Sequence, residues 1–422
     1  MKSIFSIITS PEKRYFGFDI VRAFSVILVS HIHFFYAYAA LKGFNIFTIP
    51  FPDPVNMFFV CSGFLIGYAF LKEIDRTDKL DKKFVGRFLV MRWGRTLPAY
   101  YFMLFFLTIL TCLITKRIFI PYLNIFFLQN SFGFYSTFYK ETWTVSIEEW
   151  FYVIFPFSFL FIYAIVCKSK HKAFLGALFF MIAASISLKL FYYFKAPFNK
   201  TVACFLYYKG ITVLRLDTIA VGLLAAYICY KYPERCYKYR YMSLFTGLVI
   251  YFITSFFLWA WTNENMRTEF PDLKPLPWHF KFATGKAIAF YHYIFYDFLN
   301  PFALALCLPY LKSIKYKPSF LNNSILYISF ISYSVFLVHE TFIKNLTLGL
   351  YVLKIVNNIY TVYIIWISLS LIIAHQLYKR IELPFMNKRK AIIEYLKLEE
   401  QQHLYFNNDT DKEKKPLQEI LQ

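Results

Sequence analysis

Charge is scarce in this chain: Asp, Glu, Lys and Arg make up 17% of its 422 residues, against about a quarter in an ordinary soluble domain. Hydrophobic residues reach 58% and aromatic ones 23%. No soluble fold of this length needs that much apolar surface, and long apolar runs recur from end to end instead of dividing into globular units. Paired cysteines are also missing. The seven present (Cys61, Cys112, Cys167, Cys204, Cys229, Cys236 and Cys307) are scattered, mostly within apolar runs, which excludes a disulfide framework and a cysteine metal site. The opening MKSIFSIITSPEKRYF has too short an apolar core, and no small-residue cleavage site, to read as a cleaved signal peptide, so it is expected to be a retained cytoplasmic lead-in. No inverted repeat of the kind common in secondary transporters is visible.

What remains is an all-α, polytopic transmembrane bundle. With about 20 apolar residues needed per crossing, ten spans are expected, centred near Val29, Phe64, Phe106, Phe157, Met181, Val221, Val249, Ala303, Phe336 and Ser368. Prolines 50, 52 and 54 force a rigid turn before the second, and Asn300-Pro301 interrupts the eighth, where a kink is expected. The net charge of +21 suggests nucleic acid only until the cations are located. Eight Lys and Arg lie between Lys72 and Arg95, and further clusters follow Lys168, Lys231 and Leu311, each after an even-numbered span. That is positive-inside patterning, which places both termini in the cytoplasm, with membrane lipid and not nucleic acid as the chain's surroundings. Residues 1–385 read as the membrane domain and 386–422 as a polar, disordered cytoplasmic tail. The outer segment from about Thr262 to Gly285, with Pro271, Pro275 and Pro277, is equally a lid or a connector. Nothing in the sequence fixes an oligomeric state.

Within the first span, YFGFDIVRAFSVILVSHIHFFYAYAA, stand Arg22 and His33, with Asp19 one turn before the arginine. Eleven helical steps return Arg22 and His33 to nearly one face, roughly 16 Å apart along the axis. Ionisable groups at that depth cost about 2.5 kcal/mol or more unless a partner or wet cavity receives them, so the stripe marks a functional site. Histidine is the usual acceptor of a hydroxyl proton, whereas His31 points about 200° away. In TWTVSIEEWFY, Ser146 and Glu149 fit a capping box; Glu148 is left as the acid partner expected for His33, with Trp143 and Tyr152 nearby. Arg92 and Arg95 share a helical face and suit either donor phosphates or lipid head groups. Gly63 and Gly67 permit close helix contact, and Ser62 beside them is a cavity candidate. Arg215 and Asp217 either neutralise each other or bind an acceptor, and Tyr333 and His339 lie near the outer end of the ninth span.

In order along the chain, these segments resemble the acyltransferase 3 family of integral-membrane O-acyltransferases, from Phe16 to about Phe385. Arg22 and His33 match its R-x10-H pattern, FFVCSGFLIG its F-F-V-x-S-G-F-L-I block, Arg92 with Arg95 its R-x-x-R, and Trp143, Glu148, Phe151 and Tyr152 its W-S-L-x-x-E-x-x-F-Y block. RLDTIAVG, SYSVFLVHE and IELPF resemble later blocks, while Thr144 and Trp150 depart from the usual serine and glutamine. The resemblance implies a multi-pass protein of the plasma (inner) membrane that transfers an acyl group, commonly acetyl, from cytoplasmic acyl-coenzyme A to a hydroxyl of an envelope or exported glycan or glycolipid. It implies no tightly bound cofactor and no metal. His33, aided by Glu148 and Arg22, would carry the chemistry, and Arg92 with Arg95 would hold the donor. The competing readings are a transporter or flippase for an envelope lipid or sugar, with its intramembrane charges lining the path, and a scaffold in a glycan-assembly complex.

Overall fold

A computed structural model describes residues 14–42, 53–131, 138–195, 211–269, 291–389 and 391–393, and most of the described residues are helical, with no strand among them. In chain order the elements are α1 (Phe16–Lys42), α2 (Pro54–Arg76), α3 (Lys82–Thr115), the short α4 (Tyr122–Ile125), α5 (Trp143–Phe161), α6 (Lys170–Lys195), α7 (Leu216–Lys231), α8 (Pro233–Lys238), α9 (Arg240–Glu269), α10 (Asp297–Ser313), α11 (Phe320–Val338), α12 (Asn345–Val352) and α13 (Ile359–Leu377). Ten described segments are long and apolar enough to cross a membrane, and every expected span centre falls inside one of them.

The helix starts follow from local chemistry. Asp53 caps α2 by accepting from the Val55 and Asn56 amides at 3.1 and 3.2 Å, and Pro54 occupies the first turn, where no amide hydrogen is needed. Asp81, Ser319 and Asn358 cap α3, α11 and α13 in the same way. Gly63 then lets α2 cross α7: a Cβ there would lie 2.2 Å from the Ile219 carbonyl oxygen, and one on Gly222 would lie 2.3 Å from that of Val60. Both helices are thereby held closer than any side chain allows.

Two differences from the sequence reading matter for the site. First, α5 begins at Trp143, after a 3-10 turn over Lys140–Thr142, so Ser146 is inside the helix and no capping box forms. Its hydroxyl donates to the Phe127 carbonyl at 2.5 Å, while Glu149 accepts from the Thr96 hydroxyl at 2.6 Å. Second, helix continues beyond residue 385 through 389, carrying Arg389 back onto α3. A π-helical turn, Tyr291–Tyr296, precedes Pro301 in α10. Cys204, prolines 50 and 52, the first thirteen residues, the three prolines of the long outer segment and most of the tail lie outside the described residues; α9 itself runs on to Glu269.

Candidate active site

Two clusters share α1. At its far end, His33 Nδ1 lies 2.9 Å from His339 Nε2 and 2.8 Å from Glu340 Oε2, and the two imidazoles stack nearly parallel, 8° apart, with centroids separated by 5.1 Å. The hydrogen-bond network assigns the protons. His339 Nδ1 is 2.8 Å from the Phe336 carbonyl oxygen, which can only accept, so in the neutral ring Nε2 is the acceptor. His33 Nδ1 therefore donates to His339 and Glu340, and its Nε2 keeps the basic lone pair.

The scaffold holds this pair on a π-helical turn, His339–Lys344, a geometry frequent at functional sites. His339 is fully buried, and its carbonyl accepts from Trp366 Nε1 at 3.1 Å. Lys344 Nζ donates to the other Glu340 oxygen at 3.0 Å. Buried Glu141 accepts both the amide (3.0 Å) and the hydroxyl of Thr341, which ties the turn to the start of α5. His33, His339 and Glu340 also place one donor atom each within 4.8 Å of one another. Nitrogen ligands of a tetrahedral zinc ion, at about 2.0–2.1 Å from the metal, stand about 3.3 Å apart. At 2.9 Å the two imidazoles have hydrogen-bond spacing.

Towards the start of α1, Arg22, Arg92, Arg95 and Arg389 line one cavity of about 290 Å³, with Ser62 and Glu148 in its wall. Glu148 faces Arg95, Arg22 and Arg92 and the Ser62 hydroxyl. The acid against His33 is instead Glu340, while Glu148 is buried within α5, which already begins at Trp143. Glu382 is fully buried, with Oε1 3.8 Å from Arg95 Nε and Oε2 accepting from Ser334 at 3.0 Å. The Nε atoms of Arg22, Arg92 and Arg389 are buried without a hydrogen-bond partner.

A narrower cavity of about 40 Å³, lined by Ser25, Val26, Val29 and Phe336, shares Phe58, Glu148 and Tyr333 with the arginine cavity. Val29 is one helical turn from His33, and the Phe336 carbonyl holds His339, so the small cavity lies between the arginines and the histidines.

The remaining candidates divide between these clusters and the framework. Ser62, Tyr152 and Tyr333 line the arginine cavity, the last donating to the Thr96 carbonyl at 3.0 Å. Asp19 is 2% exposed and paired with Arg14 and the Ser329 hydroxyl. Trp143 packs edge-on against Phe59, outside both cavities. Arg215 and Asp217 do not pair with each other: Arg215 meets Asp297 at 2.6 Å and also Asn56, while Asp217 accepts from Lys189 at 2.5 Å. Both are at most 1% exposed, and neither lines either of these two cavities. His31 contacts Tyr363 and the Ile27 carbonyl, away from His33. Sequence reasoning missed Glu340, Glu141, Glu382 and Arg389. Glu340 had a visible signal, an acid directly following the singled-out His339.

This is a membrane-type helical bundle in which a histidine pair and an acid stand above an arginine-lined cavity. A family model described as an acyltransferase domain matches residues 15–377. The chain belongs to that acyltransferase 3 family. It is 27% identical over 229 residues to the O-acetyltransferase OatA of Staphylococcus aureus, covering 50% of this chain and 34% of that protein. It is 28% identical over 174 residues to a Bacillus subtilis protein named "Putative peptidoglycan O-acetyltransferase YrhL", covering 37% and 25%. The match thus spans about a third or less of these relatives' own length. No solved structure matches.

Proposed function

We propose that the chain is an inner-membrane O-acyltransferase that moves an acetyl group from cytoplasmic acetyl-coenzyme A to a hydroxyl of an envelope or exported glycan. One observation carries the reading: His33, its Nδ1 committed to Glu340 and His339, stands one turn beyond a small cavity that joins the arginine cavity. Arg22, Arg92 and Arg95 supply charge-assisted donors for the phosphates of the donor. Its thioester arm would run past Phe58, Glu148 and Tyr333, the residues that both cavities share. His33 Nε2 takes the proton from the acceptor hydroxyl as the oxygen attacks the thioester carbonyl. The C–S bond breaks, the coenzyme A thiolate leaves, and the imidazolium returns its proton to that thiolate or to water. Glu340 stabilises the transient imidazolium, while Lys344 and Glu141 fix Glu340 and its turn.

The names of the relatives support acetyl as the group transferred, and one of them supports peptidoglycan as a type of acceptor. The basic connectors after even-numbered spans support a cytoplasmic arginine end and an outward histidine end. Acetyl content of the envelope glycan, measured by mass spectrometry in cells making normal amounts of His33→Ala, is expected to fall to that of cells without the protein. Unchanged acetylation would refute the role of His33.

A further inference from the structure

Arg389 lies past the apolar run of the last span, where a basic residue ordinarily anchors a helix end to lipid head groups. Its side chain does something else. It lines the arginine cavity, donates through Nη1 to the Met91 carbonyl on α3, and keeps a buried Nε without a hydrogen-bond partner. The approach depends on Gly94: a Cβ there would stand 2.9 Å from Arg389 Cβ and 3.1 Å from its Cδ. Gly94 is inside α3, where glycine costs about 1 kcal/mol relative to alanine, and the seat it provides for Arg389 accounts for its presence. Counted with Arg389, four guanidiniums face two nearby carboxylates, Glu148 and Glu382. The excess of about two positive charges calls for a ligand bearing at least two negative ones.

We propose that Arg389 binds a phosphate of the donor, with Gly94 as the notch that admits it, so that the segment following the last span forms a wall of the donor site. The proposal rests on the donor reading given above and extends it to residues beyond the apolar bundle. Arg389 touches donor only; it takes no part at the reacting carbonyl.

The test uses the purified full chain in detergent, with coenzyme A and inorganic pyrophosphate as binding probes, and with acetyl-coenzyme A and S-acetylpantetheine compared as donors. Arg389→Ala is expected to weaken coenzyme A binding about tenfold or more, the usual consequence of losing a charge-assisted contact. The preference for acetyl-coenzyme A over S-acetylpantetheine should fall by a similar factor. Gly94→Ala should do the same with Arg389 still present, Arg389→Lys should restore part of the loss, and exposed Lys388→Ala should change neither reading. Wild-type affinity in Arg389→Ala, or equal losses with both donors, would overturn the proposal. If the wild-type chain binds pyrophosphate through Arg389 but not coenzyme A, the polyanion site stands and the donor identity fails. If it binds neither, the site itself is refuted.

Discussion

Two groups of cations lie within this apolar bundle, and they are arranged in opposite ways. Around Arg215 every formal charge has a partner: Arg215 meets Asp297 at 2.6 Å and also Asn56, Asn56 donates to Asn300 at 3.1 Å, and Lys189 meets Asp217 at 2.5 Å. None of these residues is more than 4% exposed, and none lines either cavity of the site. Around Arg22 the cations outnumber the acids and line a common cavity, whereas Arg215, whose Nε is also without a hydrogen-bond partner, faces its acid directly. A buried ion is tolerated only when it is compensated. The first group is compensated from within and holds α2, α6, α7 and α10 together; the second is compensated in part by Glu148 and Glu382, and in the proposed function a bound anion supplies the rest. The same residue type is therefore framework in one place and, in the proposed function, binding site in the other.

Substitutions can break this contrast. The largest effect is expected from Arg215→Ala, which strands Asp297 in the bundle. Loss of one partner of a buried pair costs about 3–5 kcal/mol, so thermal unfolding in detergent should shift strongly downward. A variant of unchanged stability with lost transfer would instead make Arg215 part of the site. Next comes Arg92→Ala combined with Arg95→Ala. Relief of repulsion between the two cations is opposed by the loss of partners for Glu148 and Glu382, so thermal stability should fall less than in Arg215→Ala, while the KM of the folded protein for acetyl-coenzyme A should rise about tenfold or more. Unchanged donor dependence would return these arginines to a lipid-anchoring role. The smallest effect is expected from His31→Gln, which removes a contact with Tyr363 on the opposite side of α1 from His33. About 1 kcal/mol of stability should be lost, with transfer by the folded protein intact. A large loss of transfer at normal stability would place His31 in the mechanism.

Much of this was legible before any coordinates, for physical reasons that also explain the gaps. Apolar runs long enough to cross a membrane admit little besides helix, so all ten expected centres lie within the observed segments. His33 stood out because an imidazole at that depth needs a cause, and Gly63 because its spacing fits a close helix crossing. Glu148 was recognised as unusual but assigned to the wrong neighbour. The S-x-x-E pattern suggested a helix start at Ser146, whereas α5 starts at Trp143 and Glu148 faces the arginines. Glu340 follows His339 at what looked like a polar span end, and only the π-helical turn aims both at His33. Lys189 and Asp297 are single charges whose pairing depends on which helices adjoin, information that no periodicity contains. Arg389 looks like every other basic anchor until the packing of its side chain on Gly94 is seen.

The central claim is that His33 is the base of an acyl transfer supplied from the arginine cavity. Its most direct test is release of free coenzyme A from acetyl-coenzyme A by the purified chain in detergent, with a soluble glycan acceptor present, comparing wild type with His33→Ala. The account predicts a fall of about 10²–10⁴ in rate, the usual contribution of a positioned acid–base group, with donor binding retained. Release at the wild-type rate by His33→Ala would contradict it.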